Sequence, residues 1–117
     1  MRPLREEEKE VVRKLLSATP SLSNLLHELD AALVEDMADG GMGSIQFEGS
    51  LVPASRLARE VASASFRDGD GVIVSVALNV DQHGHLFEVD FWKVDFSPLL
   101  QYPRAGELII EERRLDG

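Results

Sequence analysis

The spacing of apolar residues changes part-way along this chain. Leu4, Val11, Val12, Leu15 and Leu16 recur at helical intervals over residues 4–18, with Glu6, Glu7 and Glu8 in the first turn, where the helix dipole favours negative charge. Glu10 and Lys14 add an i,i+4 pair in the favourable order. A helix of this kind needs a surface on which to lay its apolar stripe. Thr19-Pro20 then supplies an N-cap and a first-turn proline, and Leu22, Leu25, Leu26 and Leu29 form a second stripe. The pattern predicts a shorter helix ending near His27 or Glu28.

Beyond this point the period becomes two. Leu29 to Met37 sets Leu29, Ala31 and Leu33 against Asp30, and Ser44 to Glu48 sets Ile45 and Phe47 against Gln46 and Glu48. The glycine-rich ADGGMG lies between them and suits positive φ angles, so a hairpin is predicted. Residues 51–60 read ambiguously as helix, loop or strand, and a strand is expected from about Leu57 to Arg67. Asp68-Gly-Asp-Gly71 turns into Val72 to Val80, where Val72, Val74, Val76, Leu78 and Val80 share one face. Asp81-Gln-His-Gly84 turns again into His85 to Val94, and Glu107 to Arg113 reads as a last strand. Two N-terminal helices followed by strands without α/β alternation predict an α+β domain over residues 1–117. Its helices would pack on one face of an antiparallel meander of five or six strands.

Along His85 to Val94, Phe87, Val89 and Phe91 face one side while Glu88, Asp90 and Trp92 face the other. Lys93 interrupts the apolar alternation, and Val94 and Phe96 then take the phase that had been polar. A bulge near Trp92 and Lys93 would produce that switch. If the helices cover the Phe side, Glu88, Asp90 and Trp92 lie together on the open face. Met42, between the glycines of Asp39-Gly-Gly-Met-Gly-Ser44, is either an adaptable contact residue or folded back onto the core.

Composition narrows the chemistry. The net charge is −9, with acids in both halves, which opposes nucleic acid and anionic membranes and attracts a basic protein. An apolar content of 44% is enough for a core, and the absence of cysteine removes disulfides, thiolate nucleophiles and Cys-ligated zinc. No signal-peptide pattern opens the chain and no long apolar run follows, so a cytoplasmic protein is expected. Asp68-Gly-Asp-Gly lacks the further oxygen donors of an EF-hand, and His83 and His85 beside Asp81 lack a third histidine. Turn chemistry accounts for these residues, and neither a metal nor a cofactor is expected. The glycine-rich loop opens a strand rather than a helix, and Asp36 and Asp39 would repel a phosphate. No nucleophile elbow is present.

The segments LREEEK, VEDMADGGMGSIQF and DGDGVIVSVALNVDQHGHLFEVDFWKVDFSPL together resemble a family of small bacterial proteins classed as a domain of unknown function. The likeness spans most of residues 1–99 and is most specific in DGGMGS and WKVDFSPL. Arg5 departs from it, standing where a Ser or Thr helix cap is expected. The resemblance implies a compact domain and transfers no activity, so no catalytic residue is carried over. Two readings remain. The first is a non-enzymatic acidic binding module, immunity-like or otherwise directed at a protein partner, with Trp92, Glu88, Asp90, Lys93, Asp95 and Met42 as the contact residues; a homo-oligomer is an open form of it. The alternative is a small metal-dependent hydrolase using Glu88, Asp90 and Asp95, whose same-face carboxylates on one strand stand about 7 Å apart, with His83 or His85 assisting.

Overall fold

A computed structural model describes residues 1–48 and 58–111. The protein is α+β, and among the described residues the sheet has seven strands, one more than the upper expectation. They are β1 (Arg2–Pro3), β2 (Leu33–Asp36), β3 (Ile45–Phe47), β4 (Ala58–Arg67), β5 (Ile73–Asp81), β6 (Leu86–Lys93) and β7 (Ile109–Ile110), arranged in the order β1-β2-β3-β6-β5-β4-β7 with every pairing antiparallel. β4, β5 and β6 form the expected meander, while the β2–β3 hairpin docks on β6 at the far side from β4. The additional strand is β1, whose two residues carry no periodicity. It exists because Arg2 bridges Glu8 at 2.8 Å and Asp36 at 2.7 Å, fastening the N-terminus to both the helix and β2.

The helix α1 spans Glu6–Ser17 and buries Val11, Val12, Leu15 and Leu16. Arg5 occupies its N-cap, and Glu8 supplies the cap that Arg5 cannot, its carboxylate accepting the Arg5 backbone N–H at 2.7 Å. Pro20–Glu28 is helical as expected, but of the tighter 3₁₀ kind. Leu29 closes that segment rather than opening β2: Leu25 and Leu29 are each 1% exposed, whereas Leu26, expected in the same stripe, stands exposed. The reading of residues 51–57 falls outside the described residues, and β4 begins at Ala58. Glu107 ends a short 3₁₀ turn at Ala105–Glu107, which reduces the last strand to Ile109–Ile110.

The α1 and 3₁₀ segments cover one face of the sheet. Val74, Val76, Leu78 and Val80 on β5 point into it at 0% exposure, joined by Ala62, Ala64 and Phe66 from β4 and by Ile45 and Phe47 from β3 in one continuous cluster. The opposite face carries Gln46, Ser65, Arg67, Ile73, Ser75, Ala77, Asn79, Glu88, Asp90 and Trp92. An antiparallel sheet tolerates one wetted face, which is how period-two strands come to alternate in this way. Among the described residues, no helix is long and apolar enough to cross a membrane.

Candidate functional site

Lys93 reorders the sequence-based picture of the site. Its register with Val74 runs unbroken from the neighbouring Ser75–Trp92 pair, so no bulge lies there. The irregularity sits at the other end of β6, where Val80 pairs with Leu86 and Asn79 with Glu88, leaving Phe87 as the extra residue. Leu86 turns into the core and Phe87 is half-buried, instead of being the core residue the alternation predicted. Lys93 keeps the phase of Val89 and Phe91. Its side chain is fully buried on the covered face and is not on the open face with Trp92, where it was expected as a contact residue.

A buried ammonium must be paired and hydrogen-bonded. Lys93 Nζ donates to Asp68 Oδ2 at 2.8 Å, to Asp70 Oδ2 at 2.8 Å and to the Pro98 carbonyl at 3.3 Å, which uses all three of its protons. Asp68 is equally saturated: besides Lys93 it accepts the backbone N–H groups of Gly69 (2.7 Å), Leu100 (2.8 Å) and Gln101 (3.1 Å). Burial pushes the Asp68 carboxyl up, but the Leu100 N–H, Lys93 and the Gly69 and Gln101 N–H groups outweigh it and hold the pKa at about 2. The acids of Asp68-Gly-Asp-Gly thus do more than shape a turn. They lock the segment that follows β6 to the β4–β5 connection.

The glycine-rich loop locks the same segment from the other side. Asp39 accepts the N–H groups of Met42 at 3.0 Å and Ser44 at 2.9 Å, organising the loop from within. The Gly41 carbonyl accepts the Leu99 N–H at 3.0 Å, and a Cβ on Gly43, whose φ is +101°, would stand 3.3 Å from Leu99. Met42 is 9% exposed and folds back, its sulfur accepting the Lys93 N–H at 3.5 Å. Ser44 Oγ accepts the Phe91 N–H at 2.8 Å, so two side chains continue the edge of β6 where β3 ends.

What these locks present to solvent is Trp92 and residues 94–96. Trp92 is 46% exposed, and the ring of Phe96, 69% exposed, lies 6.0 Å from it, centroid to centroid, at 54°. Lys93 to Phe96 is a tight turn closed by the Phe96 N–H on the Lys93 carbonyl at 2.9 Å, and it leaves Phe96 at φ +62°, a left-handed conformation rare for a bulky side chain. Asp95 caps the residue two positions on, accepting both the Ser97 N–H (3.0 Å) and hydroxyl (2.6 Å). Asp90 stands exposed on the same face as Trp92. Val94 and Ile73 extend the apolar patch, at 47% and 41% exposure. Sequence reasoning passed over Phe96 as a contact residue, although the phase switch at Val94 and Phe96 was its signal.

The three segments that meet around Lys93 belong to a recognised family. A family model described as Domain of unknown function (DUF6984) matches residues 1–103. The chain belongs to that family. Comparison with curated proteins and with solved structures finds no match. In this DUF6984 fold, DGGMGS and WKVDFSPL are packed against each other, at Gly41–Leu99 and Met42–Lys93.

The other candidate carboxylates and histidines make local hydrogen bonds. Glu88 accepts from Asn79 Nδ2 at 2.8 Å, Asp90 from Ser44 Oγ at 3.3 Å, and Asp95 from Ser97. The His83 and His85 backbone N–H groups both donate to Asp81 Oδ1, at 2.8 and 3.0 Å, as hairpin-turn chemistry requires. Among the described residues, no group of three or more His, Asp or Glu is placed to hold a metal ion.

Proposed function

We propose that this protein is a non-enzymatic acidic module that binds a cationic protein partner through the open sheet face around Trp92, with an immunity-like masking of a basic surface as one form of that role. The observation that carries this reading is the Trp92–Phe96 pair, two large aromatic rings held at the surface by a turn whose own backbone is strained. A contiguous exposed apolar patch with a polar rim is the usual mark of an interaction site, and Trp is the residue most enriched at binding hot spots. Asp90 on the strand face of Trp92, Asp95 in the turn that carries Phe96, and the net charge of −9 favour a basic partner and disfavour nucleic acid or an anionic membrane. The contact residues are therefore Trp92, Phe96, Asp90 and Asp95, with Glu88 further along the same face. A cytoplasmic setting fits this reading.

The test is affinity capture from the native host with the purified chain, followed by measured affinity of the captured partner for Trp92→Ala and Asp90→Asn. Truncating a hot-spot tryptophan is expected to weaken binding by about 2 kcal/mol or more. Equal affinity of both variants and the native chain would remove this face from consideration.

A further inference from the structure

We propose that the Trp92–Phe96 pair is a receptor for an arginine side chain of the partner, the guanidinium lying against the rings with Asp90 and Asp95 as its carboxylate rim. The proposal rests on the reading that this face binds a partner and adds the chemistry of the anchor. Its first support is what the rings lack. Lys93, the cation nearest in sequence, is on the covered face and neutralised by Asp68 and Asp70, while Arg67 stands two strands away from β6 and donates to the Gly71 carbonyl. Along the open side of β6 the chain presents Glu88, Asp90 and Trp92, and then Asp95 in the turn. Among the described residues, the open side of β6 and the turn after it set these aromatic faces with carboxylates and carry no cation.

The second support is Phe96 itself. At 69% exposure its ring gains little from the core, yet the chain accepts φ +62° there. What that placement does achieve is to set a second ring beside Trp92, tilted at 54° rather than stacked flat, with part of each ring exposed to a visitor. Cations bind best over indole, and the planar, weakly hydrated guanidinium stacks on rings and bonds carboxylates in a fork, which a lysine ammonium cannot do. A second copy of this chain is a poorer occupant. It would bring Asp90 and Asp95 against their own counterparts, on molecules that each carry a net charge of −9.

Trp92 is the single tryptophan of the chain, so intrinsic fluorescence reports on this site alone. The purified full chain is titrated at low salt with an acetylated Arg-Gly repeat hexapeptide and with its Lys-Gly counterpart. The arginine peptide is expected to change the Trp92 emission and to bind about fivefold more tightly than the lysine peptide, the ratio that about 1 kcal/mol of cation–π preference gives. Phe96→Tyr should keep that ratio, while Phe96→Leu, which retains apolar bulk without the ring, should bring it down toward one. Equal binding of the two peptides, or a ratio untouched by Phe96→Leu, overturns the arginine receptor. If that equal binding is abolished by Asp90→Asn, the acidic binding face still stands. No emission change with either peptide also overturns the inference, and the partner-capture result then judges the wider reading by itself.

Discussion

A phenylalanine at φ +62° costs about 1–2 kcal/mol relative to an ordinary backbone conformation, and glycine removes that cost. Phe96→Gly should therefore leave unfolding stability within about 1 kcal/mol of the native chain in urea denaturation, since the strain it relieves offsets the ring contact it loses. It should nonetheless reduce the preference for the arginine peptide over the lysine peptide. A clear loss of stability would instead mean that Phe96 serves the fold. Gly43 is the opposite case. Its φ of +101° and the 3.3 Å approach of a Cβ to Leu99 make Gly43→Ala cost about 2 kcal/mol by the same measurement. Gly40, at φ +75° but with nothing within 4 Å of its Cβ, pays the backbone term alone, and Gly40→Ala should cost about half as much.

Between elements, the Asp68–Lys93–Asp70 cluster decides where the segment after β6 lies, because two backbone N–H groups of that segment end on Asp68. Its pH dependence has a definite sign. Asp68 titrates at about 2 when folded, against an ordinary 3.8, so its contribution is complete above about pH 4 and is lost as pH falls toward 2. Lys93 is pulled down by burial but raised more strongly by Asp68 and Asp70, ending above its ordinary 10.5. Its share is present below that value and is lost only as pH rises beyond it. The melting midpoint of the native chain is expected to drop steeply across the acidic window. Asp68→Asn should melt about 10 °C lower at neutral pH, because it leaves Lys93 underpaired, and should then fall less steeply with acid. An unchanged acid slope in that variant would assign the acid sensitivity to other carboxylates.

For the molecule as a whole, charge acts on encounter more than on the bound state. The net charge of −9 accelerates approach of a basic partner and is screened within about 10 Å at ordinary salt. Stopped-flow association with the captured partner should slow by about tenfold between ~20 and ~500 mM salt, while dissociation, governed by the desolvated Trp92 contact, changes much less. A dissociation rate as salt-sensitive as the association rate would argue for a purely electrostatic complex without an aromatic anchor.

Local regularities determined much of this protein from sequence alone. Helical spacing placed Glu6–Ser17, period-two spacing with Asp/Gly turns placed β4, β5 and β6, and the same alternation put Trp92, Glu88 and Asp90 opposite the valines of β5. These features are legible because backbone periodicity forces neighbours in sequence to share a face. Lys93 was not legible. A lysine in a strand reads as a break in the apolar pattern, and only Asp68 and Asp70, 25 and 23 residues away, make its burial possible. The same holds for β1, which depends on Arg2 meeting Asp36, and for Met42, whose burial depends on β6. Periodicity told which side of the strand Trp92 faces. Tertiary structure alone decided that Phe96 stands beside it and Lys93 does not, because ion pairs and loop packing join residues that no local spacing relates.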